Sequence, residues 1–220
     1  MAYKTFSDLI QATVKELSQV SGTGVQLYAE DIIGRKLQSS FNMVFDELWW
    51  DQYMEWFQRT LDGTTGVVTS ALTGVTRFDD IRAVFVPQSH TPLPYLPRDF
   101  QPFVLTGTQP RFIEALTEDE PTKIIQFWPK TATGTIYIHA RKKPDDFNLD
   151  DLVKLDPDVL IFGAAWDYLE SDGTVPADAQ KMQVKFEARL KQLKKNYGNK
   201  PIALDPQRTQ NIPLDWMVMR

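Results

Sequence analysis

The chain has 220 residues, of which 42% are hydrophobic and 24% are charged, a composition typical of a folded soluble protein rather than a disordered one. It contains no cysteine, which excludes disulfides, zinc–thiolate sites and cysteine nucleophiles from these residues. The net charge of −5 gives no whole-chain argument for nucleic-acid binding. The N-terminal segment is interrupted by charges and no run is long and apolar enough for a membrane span, so we expect a cytoplasmic site of synthesis and no membrane contact.

Two amphipathic helices are predicted at the start of the chain. The first has Thr5 or Ser7 as its N-cap and stops at Gly22, and the second runs from near Tyr28 to residues 49–50. Their apolar residues, spaced by three or four positions, are Phe6, Leu9, Ile10, Val14, Leu17 and Val20 in the first and Ile33, Leu37, Phe41, Val44, Phe45 and Leu48 in the second.

The middle of the chain is predicted to be rich in β-strands. Turn residues 62–66 lie between two β-forming segments and predict a hairpin, while residues 87–110 hold six prolines and predict an irregular excursion. Further strands are predicted at 81–86, 111–116, 123–128 and 135–141, the last two joined as a hairpin by 129–134.

Helical periodicity returns after Pro144. Asp156 is the predicted N-cap of a third helix, Pro157 is its first residue and Gly173 ends it. A fourth helix is predicted over residues 177–196. Its apolar stripe is Met182, Phe186, Leu190, Leu193 and Tyr197.

This order predicts an α+β fold, a four-helix bundle with a β-rich insertion between the second and third helices and an extended C-terminal arm. The predicted helical body comprises residues 1–52 and 142–197, the insertion 53–141 and the arm 198–220. The arm contains three prolines and no sustained period, yet it ends in apolar residues that favour docking on a partner. They are Ile212, Leu214, Trp216, Met217, Val218 and Met219.

No motif in the sequence predicts catalysis or a bound cofactor or metal. His90 and His139 have no second histidine at metal-ligand spacing, so we interpret them as a surface residue and a cross-strand packing residue. The acidic residues of 79–80, 118–120, 145–146 and 150–151 are interpreted as solvated turn residues rather than paired catalytic or magnesium-binding carboxylates. The glycines of 62–66 match no phosphate-binding loop, and the Gly-x-Ser-x-Gly motif is absent.

Two surface features leave a functional alternative open. The aromatic cluster of Trp49, Trp50, Tyr53, Trp56 and Phe57 is typical of a core corner or a protein interface, with a stacking platform for sugars or single-stranded nucleic acid as the alternative.

The other feature is the fourth helix, where residues 181–200 carry seven basic residues against one acid, a local charge of +6. This pattern is typical of a solvated face, and the functional alternative is a surface that meets phosphate or an acidic partner. The candidate face consists of Lys181, Lys185, Arg189, Lys191, Lys194 and Lys195.

The organisation of the chain resembles that of the head-to-tail adaptor, or connector, proteins of tailed bacteriophages. The segments that carry the resemblance are TFSDLIQATVKEL and EDIIGRKLQSSFNMVFDELWW, then FDDIRAVFV and TKIIQFWPKTATGTIYIHARKKPDD, and finally LDPDVLIFGAAWDYLESDG and MQVKFEARLKQLKKNYG. The resemblance covers about residues 4 to 197 and is one of organisation rather than of a sequence fingerprint.

The resemblance implies a structural protein of the virion and no enzyme. It implies a homo-oligomeric ring, which in that family is usually a dodecamer. The ring would join the portal protein to a tail or nozzle protein and line the passage of the genome during ejection. In that family the helices form the ring body, the insertion contacts neighbours or the tail, and the arm docks on the portal. The basic face of the fourth helix would then make weak, non-specific contact with double-stranded DNA.

Two other classes of protein remain open at this point. One is a neck or tail-completion protein of similar shape, in the layer of the virion next to the adaptor ring. The other is a carbohydrate-binding or hydrolytic tail component that uses the aromatic cluster and the acidic pairs as its site.

Overall fold

The computed structural model describes residues 3–21, 30–48, 50–69, 75, 80–87, 89, 91–95, 107–115, 123–172 and 176–197. These residues fold into helices and small antiparallel sheets, so the predicted α+β class is confirmed. They divide into two compact units. We call the described residues within Met1–Gln52 and Pro144–Asn199 the helical unit and those within Tyr53–Lys143 the β unit. None of the described helices is long and apolar enough to cross a membrane.

The four helices of the helical unit lie where helical periodicity predicted them. They are α1 (Phe6–Ser21), α2 (Glu30–Glu47), α3 (Pro157–Asp172) and α4 (Pro176–Tyr197). Of the two predicted caps of α1, Thr5 is the one used, because its hydroxyl accepts a hydrogen bond from the Asp8 backbone N–H at 3.2 Å. The predicted stops at Gly22 and Gly173 lie outside the described residues.

Helix α3 is the element against which the other helices pack. It contacts α1, α2 and α4, and its sequence is apolar on most sides, as expected for a helix with several buried faces. Gly163 allows the close approach, since a Cβ atom there would collide with the Ser40 Oγ of α2 and press on the Phe186 ring of α4. All six residues predicted as the apolar stripe of the second helix are buried, five of them within α2 and Leu48 directly after its last residue.

A sheet of two short strands, which the periodicity did not predict, also lies in the helical unit. Strand β1 (Lys4–Thr5) pairs antiparallel with a later strand, Leu152–Val153, so the start of α1 is held next to the segment that leads into α3. The backbone N–H groups of Phe6 and Ser7 donate to the carbonyls of Asp151 and Leu149, both at 2.9 Å.

Six strands of the β unit form two three-stranded antiparallel sheets. They are β2 (Met54–Asp62), β3 (Val67–Thr69), β4 (Ile81–Phe85), β5 (Phe112–Ala115), β6 (Lys123–Trp128) and β7 (Thr133–Arg141), and the Leu152–Val153 strand is β8. The sheet orders are β2-β7-β4 and β3-β6-β5. Buried side chains from strands of both sheets, among them Phe57, Ile125 and Ile138, form one hydrophobic cluster.

Both predicted hairpins of the β unit are wrong. Strand β2 pairs with β7 and strand β3 pairs with β6, so neither turn joins two strands of the same sheet. The two segments instead run antiparallel as one long ribbon, Met54 opposite Arg141 at one end and Thr69 opposite Lys123 at the other, with a corner between the sheets.

The corner forms where the two turns lie side by side. Gly66 has a φ of 61° and its carbonyl accepts from the Phe127 N–H at 2.7 Å, while the Gln126 side-chain amide donates to the Thr65 carbonyl at 2.9 Å. The turn residues were recognised correctly, but their hydrogen bonds do not close a hairpin. Thr65 and Gly66 bond to the opposite segment of the ribbon, and Thr131 and Thr133 donate to the carbonyls of Gly107 and Thr108.

Candidate functional site

Helix α4 carries the six basic residues that the sequence singled out. Its buried stripe includes Met182, Phe186 and Leu193, as predicted, and this stripe packs on α3. Lys194 and Lys195 lie in its last turn, where positive charge interacts favourably with the helix dipole. The basic residues of α4 therefore lie beside the buried stripe or on the side of the helix opposite to it.

Three of the six basic residues tie α4 to other elements of the helical unit. The Lys185 Nζ lies 2.6 Å from a carboxylate oxygen of Glu16 in α1. The Lys194 Nζ lies 2.7 Å from a carboxylate oxygen of Glu47 at the end of α2. Arg189 donates to both carboxylate oxygens of Asp156, at 3.0 and 2.7 Å.

Asp156 does two things at the start of α3. Its Oδ1 accepts from the Val159 backbone N–H at 3.2 Å, which confirms the predicted N-cap ahead of Pro157. The same carboxylate, with a side chain only 2% exposed, receives the guanidinium of Arg189. The hydrogen bonds to Asp156 raise the pKa of Arg189 above its ordinary value, because they favour the charged guanidinium.

Lys181 is also paired, with Asp178 of its own helix at 2.7 Å. Four of the six candidate residues thus have acidic partners, and these partners were missed because most lie far away in the sequence. The local charge of +6 counted along the chain is largely balanced in three dimensions. Lys191 and Lys195 are exposed, and no described residue pairs with either of them.

These two lysines lie on the side of α4 opposite the buried stripe, together with small and apolar residues. We call this line of residues the α4 ridge, and it consists of Ala177, Val184, Ala188, Lys191 and Lys195, all of them exposed. Val184 is 61% exposed, the largest value among the large hydrophobic residues that are described.

The described members of the aromatic cluster have different surroundings. Trp50 is buried in the helical unit and its indole N–H donates to the Val44 carbonyl at 3.3 Å, whereas Phe57 is buried in the core of the β unit. Trp56 is 59% exposed and stacks on His139 of β7, with ring centroids 4.4 Å apart. The interpretation of His139 as a cross-strand packing residue is confirmed, while Trp49 and His90 lie outside the described residues.

The acidic pairs divide into two kinds. Asp145, Asp146 and Asp150 are exposed, as predicted for turn residues. Asp80 corrects the prediction, because it is 2% exposed and accepts from Arg141 at 3.0 and 2.5 Å in the β unit. The arginine comes from β7, 61 positions further along the chain, and no local signal indicated it. Within the described ranges no group of three histidine, aspartate or glutamate residues could hold a metal ion.

The six apolar residues of the proposed docking arm, from Ile212 to Met219, lie outside the described residues, as does Lys200.

Comparison with protein families places the whole described fold in one family. A protein-family model described as SU10 adaptor protein matches residues 4–214, nearly the whole chain. No curated protein sequence matches it.

Proposed function

The chain belongs to the SU10 adaptor protein family of phage head-to-tail adaptors, and on that premise we propose that it is a ring subunit that joins the portal to the tail. Membership of a structural adaptor family implies a virion protein without catalytic activity. The family match over residues 4–214 is the observation that carries the proposal. The dodecameric ring and the lining of the genome passage are part of the proposal.

The helical unit is suited to form the body of such a ring. Helix α3 packs against the other three helices, and ion pairs from α4 reach α1, α2 and the start of α3. A subunit braced in this way presents fixed surfaces to its neighbours, which a closed symmetric ring requires. We propose residues 1–52 and 142–197 as the four-helix body, with the insertion at 53–141 contacting neighbouring subunits or the tail or nozzle protein.

The proposed arm at residues 198–220 would dock on the portal. Its support comes from the sequence, where three prolines disfavour helix and residues 212–219 are mostly apolar. At about 3.3 to 3.6 Å per residue an extended arm spans on the order of 75 Å. Trp216 is the proposed anchor, since tryptophan is enriched at interface hot spots.

The test combines light scattering with truncation. The full chain, alone and mixed with the portal ring of the same phage, is compared with a variant that lacks residues 205–220. The truncated chain should fold and no longer join the portal, and Trp216→Ala should weaken docking by about 2 kcal/mol or more. Asn211→Ala is the matched control and should bind like the unchanged chain. A truncated chain that still binds the portal equally well contradicts the docking arm, and a full chain that never associates with the portal contradicts the adaptor role.

DNA contact by α4 is retained for Lys191 and Lys195, the two candidate residues that no described residue pairs with. The other four would have to give up acidic partners to meet phosphate. For these two lysines, DNA contact is therefore the alternative to contact with a protein partner.

Exposure of Trp56 favours one second candidate, a carbohydrate-binding tail component. An exposed aromatic ring can stack on a sugar. The His139 ring stacks on the Trp56 ring and supports its position. Glycan-array screening of the unchanged chain and of Trp56→Ala decides the matter: binding that disappears in the variant establishes this function, and binding by neither excludes it for the glycans tested.

A further inference from the structure

A second exposed surface of the helical unit lies in the segment that leads into α3. Leu149 is 59% exposed and Leu152 is 50% exposed, although both residues are large and apolar. Asp145, Asp146 and Asp150 are exposed beside them in the chain, and no described residue pairs with these three carboxylates. We call these five residues the acidic patch.

The acidic patch is held in a fixed position. Phe147 packs against Phe6 and Phe41, with ring centroids 5.6 and 4.7 Å apart, and its backbone N–H donates to Gln38 at 3.1 Å. The Leu149 carbonyl accepts from Ser7, and Leu152 pairs with Thr5 of β1. Leu149 and Leu152 are therefore exposed on an ordered segment rather than on a freely moving loop.

The α4 ridge and the acidic patch are complementary. Each combines exposed apolar side chains with charges of one sign, lysines on the ridge and aspartates on the patch. They lie on different elements, since α4 packs on α3 whereas the patch is anchored on α1 and α2 through Phe147. A single copy leaves both surfaces uncovered over the described residues.

We propose that the α4 ridge of one copy docks on the acidic patch of the next copy, and that this contact builds the ring. The inference rests on the proposed function. Ridge against ridge would bring lysines together and patch against patch would bring aspartates together, so like charges oppose both self-pairings. Pairing of two different surfaces is heterologous, and a heterologous contact with the right rotation closes into a ring.

The apolar half of the ridge favours a protein partner over DNA. Val184 and Ala188 have no charge or hydrogen-bond donor for a phosphate, and Lys181, which lies on α4 outside the ridge, is paired with Asp178. Contact with Leu149 and Leu152 would remove apolar surface from water on both sides, which favours association. Lys191 and Lys195 would meet the aspartates and set the orientation of the two copies.

Cross-linking tests the contact directly, because the chain has no cysteine and any thiol reactivity comes from the introduced residues. Leu149→Cys and Val184→Cys are made singly and together and treated with a short bismaleimide. The double variant should give a ladder of covalent oligomers, the mixed single variants only dimers, and each single variant alone no product. Gln19→Cys, exposed on α1 outside both surfaces, replaces Leu149→Cys as the matched control and should give no ladder.

Charge exchange supplies the second measurement. Lys191→Asp with Lys195→Asp should raise the concentration for half-association by tenfold or more, and so should Asp145→Lys with Asp150→Lys. The chain that carries all four changes should recover association, since the attractive charges are restored in reverse. All variants alter exposed residues, and their circular dichroism spectra should match that of the unchanged chain.

The outcomes distinguish failure of the proposed contact between the ridge and the patch from failure of the proposed ring function. A ring that forms without cross-links between positions 149 and 184, or products of one single variant with itself, overturns the interface and leaves the proposed function. A chain that stays monomeric at every concentration, alone and with the portal, overturns both. If the lysine exchange leaves the ring intact and instead weakens DNA binding with a reduced salt dependence, the ridge faces DNA and the inference is wrong.

Discussion

The two units each contain an arginine–aspartate pair, and the pairs differ in their surroundings. In the helical unit Arg189 reaches Asp156 from the margin of α4, and the arginine side chain remains 28% exposed. In the β unit the side chains of Arg141 and Asp80 are 5% and 3% exposed. The arginine–aspartate pair is thus partly exposed to solvent in the helical unit and buried in the β unit. The stability of the two units should therefore depend on these ion pairs to different degrees.

The helical unit depends instead on close packing around α3. Its ion pairs lie at helix margins, and each has a partner that water reaches, as with Lys36 and Asp167 at 24% and 38% exposed. Pairs of this kind contribute little to stability, typically about 0 to 1 kcal/mol. This contrast predicts that removing a charge lowers stability most in the β unit. Enlarging a buried side chain should lower stability most in the helical unit.

Arg141→Ala should have the largest effect. It leaves the Asp80 carboxylate buried without its guanidinium and should lower the free energy of unfolding by about 3 to 5 kcal/mol. Urea denaturation followed by circular dichroism measures the loss, and hydrogen exchange locates it in the β unit.

Two controls sharpen that result. Arg141→Met combined with Asp80→Asn removes both charges and should be less destabilised than Arg141→Ala. Arg189→Ala in the helical unit should lose only about 1 to 2 kcal/mol, because the N-terminus of α3 still stabilises the Asp156 carboxylate. Equal losses for Arg141→Ala and Arg189→Ala would remove the contrast between the units.

Gly163→Ala should have the next largest effect. The new methyl group would collide with Ser40 and press on Phe186, and overpacking of this kind typically destabilises by about 1 to 3 kcal/mol. The matched control is Gly34→Ala in α2, where the nearest side-chain atoms, on Ile10 and Phe6, would lie 3.7 Å away, an ordinary contact. Gly34→Ala should therefore stabilise by about 0.5 to 1 kcal/mol through helix propensity. Two variants that shift the thermal midpoint in the same direction would contradict the packing argument.

Ser40→Ala should stabilise the helical unit slightly. The Ser40 hydroxyl is buried and has no hydrogen-bond partner among the described residues, so its removal relieves a desolvation penalty. Ser39→Ala is the control, since Ser39 is the exposed neighbour on the same helix and gains the same helix propensity. We expect Ser40→Ala to exceed Ser39→Ala by about 1 kcal/mol in urea denaturation. A hydroxyl with an ordered water partner would reverse the order of the two variants.

The smallest effect concerns Asp62 at the corner of the β unit. The Thr64 hydroxyl and the backbone N–H groups of Thr64 and Thr65 donate to its carboxylate and lower its pKa below 3.8. A lowered pKa means that this contribution to stability is present above pH 3.8 and is lost as the pH falls through the folded value. Carbon-detected NMR titration should give a midpoint for Asp62 below that of the same residue in Thr64→Ala. Identical midpoints would show that the hydrogen bond from the Thr64 hydroxyl does not persist in solution.

The sequence by itself determined the helices, their buried faces and most of the strands. A helix buries residues three or four positions apart, so the stripe from Ile33 to Leu48 is local information, and the cap by Asp156 with Pro157 needs only adjacent residues. The organisation of these elements also identified the adaptor family, which the match over residues 4–214 confirms.

The tertiary structure decided which strands pair and which charges are balanced. Turn residues specify that the chain bends but not which strand receives the next hydrogen bonds, so the segments around 62–66 and 129–134 looked like hairpins while forming a corner between two sheets. Charges counted along α4 likewise omitted Glu16, Glu47 and Asp156, which lie 169, 147 and 33 positions from their partners. Hydrogen bonds and ion pairs join groups that are near in space, and only folding brings distant segments of the chain together.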